Sequence, residues 1–293
     1  MGKTWAAAFA LLLGACGDNG SGSGLDFSAF DFSGFDFAEF DLSSPDLGAP
    51  PDLTPELDGS VPCASAPMLR GMWRAEGNTN DSTGNYNGVA QGGLAYAAGK
   101  IGQAFQGNGT DAIVKIDDNE ALWPTGDFSV LAWVKVTSGS YQTILHKSDC
   151  WGTCPATARS QFLLYMEDSG LAYFRFQSGA SGNASHEISA ATNIGDGNWH
   201  LVVGVRDVVN GQQLIYVDDH AADTSAISGE ALTALQNGDA ESDPMVIGAY
   251  EAGGATTLNQ FDSGLIDEVA VLHHALTAAE VLAIFNSPGG ICP

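Results

Sequence analysis

Past residue 63 the chain consists of short apolar runs that are separated by polar turns. The clearest runs are FSVLAWVKV (128–136), QFLLYMED (161–168), LAYFRFQSG (171–179), NWHLVVGVRD (198–207) and QQLIYVDD (212–219). Each has the length of a β-strand, is rich in aromatic and β-branched residues, and is bounded by residues that form turns. The first run is apolar at successive positions, which indicates a strand buried on both faces. The pattern therefore predicts a domain of many short strands.

The connections between the runs complete the prediction of fold class. The second run ends in the Asp of an Asp-Ser-Gly turn that leads into the third, and a segment containing Asn-Gly joins the last two, so each pair is expected to form a β-hairpin. One helix is expected after Thr277, because Thr277 and Glu280 have the spacing of a capping box and Ser-Pro-Gly-Gly at 287–290 ends the apolar run that follows. We therefore predict an all-β fold, an antiparallel two-sheet sandwich (jelly roll) with one short C-terminal helix.

The first residues have the pattern of a secretory signal. Lys3 precedes an apolar run from Trp5 to Leu13, which is too short to cross a bilayer. The run ends in Leu-Gly-Ala-Cys, which resembles the lipobox of bacterial lipoproteins and implies cleavage before Cys16 and lipidation of its sulfur. The alternative is plain secretion with cleavage at the same bond. We expect a lipid anchor in the bacterial cell envelope, in the outer membrane or at the cell surface rather than in the inner membrane.

Residues 16–62 have a low-complexity pattern of their own. Asp returns every fifth residue in DFSAF, DFSGF, DFAEF and DLSSP, and a stretch rich in Pro and acidic residues follows. The units resemble pentapeptide repeats, but four of them are too few to bury a core, and Phe occupies a position that needs a small residue. We therefore expect a disordered acidic tether. The alternative is that the Phe side chains contact cell-wall polymer or a partner.

The charge balance narrows the choice of partners. The chain has 35 acidic and 10 basic residues, which give a net charge of −25 at pH 7. A surface this negative repels nucleic acid and anionic lipid headgroups. We therefore predict no nucleic-acid partner, whereas neutral ligands and calcium are compatible with the charge.

The four cysteines after the lipobox indicate two disulfides, because an even number in an exported chain is typical of disulfide pairing. Three pairings are possible. Cys150 and Cys154 enclose the loop CWGTC and are favoured as the local pair, which leaves Cys63 and Cys292 to join the two ends of the folded part. The alternative for HKSDCWGTC is a metal site that includes His146, although the Cys-x3-Cys spacing argues against it.

Six motifs follow one another between residues 69 and 286. They are WRAEGNTNDSTGNYNG, GKIGQAFQGNGTDAIVKI, FSVLAWVKV, DGNWHLVVGVRD, LIYVDD and GLIDEVAVLHHALTAAEVLAIF. Their order resembles that of laminin G-like (concanavalin A-like) jelly-roll domains of bacterial surface proteins. This chain departs from the pattern at His273-His274, where relatives often have Asn-Arg, and at Asp219, where Gly is usual. The resemblance implies the sandwich fold inferred above and a location at the cell surface, but a fold alone does not determine function.

The same resemblance implies a structural calcium ion between the first loop and the final strand, and it nominates Asp81 and Asp267 as ligands. Residues 76–87 are rich in the side-chain oxygens that calcium prefers. Two alternatives stay open. The Asn and Asp residues can simply form turns, and Asp267 can face inward and accept hydrogen bonds from loop amides.

Enzymes share this fold, and laminarinase-type glucanases carry Glu-x-Asp-x-x-Glu on one strand so that both catalytic acids share a face. The nearest match here, ESDPMV (241–246), lacks the third acid and contains a proline, and IDEV (266–269) lacks the leading Glu. Neither Gly-x-Ser-x-Gly nor His-Glu-x-x-His occurs in the sequence, and His200 is interpreted as a packed strand residue. We therefore predict that the protein is not an enzyme.

Sugar binding requires an aromatic ring that is held rigidly at the surface. Trp151, inside the CWGTC loop, is the first candidate, with Tyr141 and Tyr250 behind it. The alternative is that Trp151 covers an edge of the sandwich. The remaining tryptophans singled out as core are Trp73, Trp133 and Trp199.

These inferences divide the chain into a signal peptide (1–15), an acidic tether (16–62) and a laminin G-like domain (63–293). The predicted function is that of a membrane-anchored, extracytoplasmic, non-catalytic, lectin-like module that binds a glycan or a cell-surface protein. The alternatives are a divergent glycoside hydrolase of the same fold and a purely structural envelope protein.

Overall fold

The computed structural model describes residues 64–148, 160–178, 184–229, 244–251, 258–259 and 263–292. All of them fall in one compact unit, residues 59–293. The predicted signal peptide and tether lie outside the described residues. Among the residues described, no helix has the length and hydropathy needed to cross a membrane.

The described residues form strands β1 to β17 and helix α1. Their bounds are β1 (Leu69–Trp73), β2 (Gly88–Gln91), β3 (Ala95–Ala98), β4 (Gln103–Gln106), β5 (Ile113–Ile116), β6 (Phe128–Thr137), β7 (Gln142–Ser148), β8 (Ser160–Met166), β9 (Leu171–Ser178), β10 (Ala184–Asn193), β11 (Asp196–Asp207), β12 (Gln212–Val217), β13 (Asp223–Ala226), β14 (Met245–Ile247), β15 (Tyr250–Glu251), β16 (Leu258–Asn259), β17 (Leu265–Leu272) and α1 (Ala278–Phe285). The five apolar runs are confirmed as β6, β8, β9, β11 and β12.

The strands form two large sheets. One has eight strands in the order β13-β12-β11-β6-β17-β4-β3, with β1 also paired to β17, and the other has seven in the order β10-β9-β8-β7-β14-β5-β2. Strands β8 and β9 pair as one hairpin and β11 and β12 as another, as predicted. Every pairing between strands of these two sheets is antiparallel. The predicted antiparallel two-sheet sandwich is therefore confirmed.

Strand β6 lies inside the eight-stranded sheet and is buried on both faces because two separate layers cover it. Phe128 and Val130 point between the two sheets and belong to the main core. Leu131 and Trp133 point the other way, into a second apolar cluster beneath α1. The Trp133 ring stacks on Phe285 of α1 with centroids 5.5 Å apart, a contact that contributes ~1 kcal/mol beyond burial. This explains why the run carries no polar alternation.

Helix α1 begins where the capping box predicted it. Oγ1 of Thr277 accepts a hydrogen bond from the N–H of Glu280 at 3.3 Å, and Oε2 of Glu280 accepts one from the N–H of Thr277 at 2.7 Å. The helix then buries Val281 and Ile284 against the eight-stranded sheet. Among the tryptophans interpreted as core, Trp73 and Trp133 are buried, whereas Trp199 is half-buried at the edge of this second cluster.

The two ends of the described body meet. Ala64 and Ile291 form an isolated parallel bridge, in which the N–H of Ala64 donates to the carbonyl of Gly290 at 2.6 Å and the N–H of Cys292 donates to the carbonyl of Ala64 at 2.8 Å. Cys292 is disulfide-bonded, and its partner lies outside the described residues. The pairing with Cys63 stays a prediction, and the bridge at the neighbouring residue is compatible with it.

Candidate functional site

The outward face of the seven-stranded sheet carries a ladder of tyrosines. Side chains alternate along β8 and β9, so that Phe162 and Phe174 enter the core while Tyr165 and Tyr173 point away from it. The pairing of β8 with β9 places Tyr165 directly opposite Tyr173. The rings of Tyr165 and Tyr173 stack with centroids 5.1 Å apart and planes 17° apart. The ring of Tyr141, which lies just before β7, stacks on Tyr165 at 4.7 Å and 11°.

We call Tyr141, Tyr165 and Tyr173 the tyrosine ladder. Tyr141 was a predicted ligand-binding residue, whereas the other two were recognised only as members of strands. The signal that could have found them is their equivalent outward position in two strands predicted to form a hairpin. Tyr165 is almost fully buried, and Tyr141 and Tyr173 are half-buried, so the ladder presents its end rings at the surface.

A carboxylate and a guanidinium fix the middle of the ladder. The hydroxyl of Tyr165 donates to Oε2 of Glu187 in β10 at 2.7 Å, and Nη1 of Arg175 lies 3.9 Å from the same oxygen. Burial, with a smaller effect from the bond to Glu187, raises the pKa of Tyr165. Burial also raises the pKa of Tyr141 and of Tyr173. The phenols are therefore neutral hydrogen-bonding groups near pH 7.

Tyr250, the second predicted tyrosine, lies on the same face. Its ring is tilted against the imidazole of His146 with centroids 4.8 Å apart, and the guanidinium of Arg175 lies 5.9 Å from its centroid. Burial and the positive charges of Arg175 and Lys147 lower the pKa of His146 to about 3, so the imidazole is neutral. The structure thus brings the predicted residues Tyr141 and Tyr250 onto one sheet face. Arg175 connects them, because it lies over Tyr250 and contacts Glu187, the residue that holds the ladder.

Several predicted site residues lie outside the described residues, and their roles stay predictions. They are Cys16, Cys63, Cys150, Trp151 and Cys154. Trp151 belongs to the segment that joins β7 to β8, the two strands that carry His146 and Tyr165.

Asp81 is buried, and its carboxylate organises the loop that follows β1. Oδ1 accepts hydrogen bonds from the N–H of Met72 at 2.8 Å and of Thr83 at 3.0 Å. Oδ2 accepts from the N–H of Asn85 at 3.1 Å, the N–H of Tyr86 at 3.0 Å and the hydroxyl of Thr83. With donors of the chain on both oxygens, Asp81 has a structural role in this loop.

Asp267 is also buried, in β17, and it accepts hydrogen bonds from loop and strand amides. The N–H of Ile101 donates to its Oδ2 at 3.0 Å and the N–H of Glu268 donates to its Oδ1 at 2.8 Å. Burial raises the pKa of both Asp267 and Glu268 to about 7. The contacts match the inward-facing alternative for Asp267.

The fit of this region to a metal ion is poor in the part of the chain that the structure describes. No group of three or more His, Cys, Asp or Glu side chains there could hold an ion. Asp81 and Asp267 are bonded to different loops, at 83–86 and at 101. Structural calcium at these two residues stays a prediction, which a calcium titration followed by thermal melting would test.

His200, interpreted from the sequence as a packed strand residue, lies between two carboxylates. Its Nδ1 is 2.7 Å from Oδ2 of Asp218 and its Nε2 is 3.1 Å from Oδ1 of Asp196, with 12 % of the side chain exposed. The bond to Asp218 raises the pKa of His200, an effect that burial opposes and Asp196 supports. His200 is therefore a strand residue whose ring nitrogens both contact carboxylates.

These contacts of His200 predict a pH-dependent contribution to stability. A histidine whose pKa is raised on folding stabilises the protein fully below its unfolded pKa of about 6.5, and the contribution is lost as the pH rises through the higher folded pKa. Urea unfolding of the wild type and of His200→Gln should therefore differ more at pH 5.5 than at pH 9. The control is His220→Gln, which replaces an exposed histidine. A difference that is constant across this range would contradict the assigned role of the ion pairs.

Comparisons with known proteins agree with this geometry. The family model described as the concanavalin A-like lectin/glucanases superfamily matches residues 108–282. No curated protein matches the chain.

Solved structures share the fold at low sequence identity. The binding domain of botulinum neurotoxin DC in complex with SialylT has a TM-score of 0.54 and 16 % identity, covering 75 % of this chain and 52 % of its own. The same domain in complex with rat synaptotagmin II has a TM-score of 0.55, 14 % identity and the same two coverages. Domain 4 of AbnA, a GH43 extracellular arabinanase from Geobacillus stearothermophilus, in complex with arabinotriose has a TM-score of 0.54 and 21 % identity, covering 75 % of this chain and 98 % of its own. This chain thus spans about half the length of the neurotoxin binding domains.

Proposed function

Because the chain belongs to the concanavalin A-like lectin/glucanase superfamily, we propose that it is a non-catalytic module that binds glycans through the tyrosine ladder. The observation that carries the proposal is the continuous stack of three aromatic rings on an outward sheet face, with a carboxylate and a guanidinium beside it. Aromatic rings and hydrogen-bonding side chains are complementary to the apolar faces and the hydroxyl groups of a sugar ring.

The rigidity of the ladder supports this function. The ring of Tyr165 has Tyr141 on one face and Tyr173 on the other, and its hydroxyl is held by Glu187. Only the two end rings have a face that no described aromatic side chain covers. A ring already fixed before binding loses little conformational entropy when a ligand stacks on it. Tyr173 is the end ring best placed to do this, since it lies within β9 next to Arg175.

The neighbours in structure support a glycan ligand, although they show only the fold. One was solved with SialylT and another with arabinotriose. A protein ligand is the second candidate, because a third neighbour was solved with rat synaptotagmin II. A divergent glycoside hydrolase is the enzymatic alternative, and turnover of a laminarin-type polymer by the purified protein would favour it.

We propose that Cys16 carries a lipid and that residues 16–62 connect it to the binding domain. The protein would then present its ladder outside the cytoplasm, on the bacterial envelope.

A glycan array probed with the full-length protein tests the proposed function. We expect at least one glycan to bind, and Tyr173→Ala to weaken that binding about tenfold or more, because a stacking contact is worth ~1.5 kcal/mol. Tyr173→Phe is the matched control, since it keeps the ring and should keep most of the affinity. Thermal melting should change little in both variants because Tyr173 is half-exposed. Unchanged binding by Tyr173→Ala would show that the ladder is not the contact surface.

A further inference from the structure

A cavity lies on the eight-stranded sheet, beside the start of α1. It has a volume of about 290 Å³, near the lower end of small-molecule sites. The β11–β12 hairpin forms one wall and the segment 274–277 before α1 forms the other, and the lining includes Asp127, Asp207, Gln212 and Tyr216. The tyrosine ladder lies on the seven-stranded sheet, so the two surfaces belong to different sheets.

Tyr216 lines this cavity. Its neighbours Ile215 and Val217 enter the core between the sheets, so Tyr216 points to the side covered by α1. The residue is only 5 % exposed, and no group in the described part of the chain hydrogen-bonds its hydroxyl. Burial, followed by the negative charges of Asp207 and Glu280, raises the pKa of Tyr216.

Two carboxylates in the cavity are held in position by the chain. Oδ1 of Asp207 accepts from the N–H of Asn210 at 2.9 Å, and Oδ2 accepts from the side-chain amides of Asn210 at 2.7 Å and of Gln212 at 3.2 Å. Oδ1 of Asp127 accepts from the N–H of Val208 at 2.7 Å. Because a carboxylate has about four acceptor positions, each still has capacity for a donor from a ligand.

The rest of the lining combines the polar residues Asn210, His274 and Thr277 with apolar side chains. Leu214 and Leu276 are buried at the wall, and Val209 at the hairpin turn is 82 % exposed. The cavity therefore offers apolar side chains, two carboxylates already held in position, and the Tyr216 hydroxyl. These groups fit a ligand that has C–H groups on one side and hydroxyl groups on the other. A cation would use the carboxylates alone and would leave both the apolar side chains and the Tyr216 hydroxyl unused.

We infer that this cavity is a second binding site that takes one neutral sugar residue, with the Tyr216 hydroxyl and the Asp207 carboxylate as its hydrogen-bond partners. The site is independent of the tyrosine ladder and goes beyond the function proposed for it. A protein with both sites would contact glycan on two sheets.

Saturation-transfer NMR of the full-length protein with a panel of methyl glycosides tests the site. We expect at least one glycoside to bind, and Tyr216→Phe to weaken it about tenfold, because one hydrogen bond is lost while the ring keeps its packing. Tyr96→Phe is the matched control, since Tyr96 is a half-buried tyrosine in β3 that lines neither surface. Its affinity should equal that of the wild type.

The ladder variant separates this site from the proposed function. If Tyr173→Ala abolishes glycoside binding and Tyr216→Phe leaves it intact, the cavity is not a sugar site and the ladder is. If Tyr216→Phe weakens the binding and Tyr173→Ala does not, the cavity is confirmed as the sugar site. If no glycoside binds, or if methylguanidinium binds in their place, the inference is wrong.

Discussion

Replacing Asp81 with asparagine should lower the free energy of unfolding by about 3 kcal/mol, because the carboxylate accepts five hydrogen bonds and four of the donors are backbone amides. An amide side chain offers one oxygen, and its NH₂ group would face N–H donors that need an acceptor. Donors left unsatisfied in a buried loop each cost ~1–3 kcal/mol, partly recovered by relaxation. Urea unfolding measures the loss.

The control for this substitution is Asp117→Asn. The Asp117 side chain is 83 % exposed and lies 3.7 Å from Lys115, a surface ion pair that contributes little. Repeating both experiments with calcium and with a chelator separates the two roles considered for Asp81. A wild-type midpoint that falls on chelation, with no such fall in Asp81→Asn, would mean that the carboxylate acts through calcium rather than through the loop amides.

Replacing Gly204 with alanine should lower the free energy of unfolding by about 3 kcal/mol through overpacking. Gly204 lies in β11 and faces the core between the sheets, where a Cβ would lie 2.4 Å from both Cγ and Cδ2 of Phe174. The Phe174 ring cannot easily retreat, because it packs edge-on against Phe128 at 5.8 Å and lies 6.0 Å from Phe176. Chemical unfolding at equilibrium measures the effect.

Two further variants sharpen this result. Gly126→Ala is the matched control, since a Cβ there meets nothing within 4 Å, and its stability should be equal to or slightly above that of the wild type. Phe174→Leu combined with Gly204→Ala should be less destabilised than the sum of the two single variants, because the smaller side chain gives the new methyl group room. Strict additivity would exclude the contact with Phe174 as the cause.

The fold was predictable from the sequence because the longer strands and the helix start are marked by residues close together in the chain. Strands such as β6, β8 and β11 coincide with apolar runs, and the start of α1 follows from two residues, Thr277 and Glu280, that bond each other. The short strands β2, β3 and β13 were not identified, since four residues with little burial carry no clear periodicity.

The candidate site was predictable only in part because it depends on contacts distant in sequence. Tyr141 and Tyr250 were named as single aromatics, but the ladder requires the register of β8 with β9 and the bond from Tyr165 to Glu187 in β10. The sequence nominated Asp81 as a calcium ligand. Its carboxylate accepts a hydrogen bond from the N–H of Met72, which becomes its neighbour only when the loop folds back on β1. The residue types showed that these positions could make polar or aromatic contacts. They did not show which residues those contacts would involve.

The bridge between Ala64 and Ile291 holds the two ends of the domain next to each other. Its entry and exit points are side by side, so the body could be spliced into a surface loop of an unrelated host without stretching either chain. A domain whose two ends are adjacent is suited to insertion into different multidomain proteins. It is also suited to circular permutation, in which the two ends are joined and the chain is opened elsewhere.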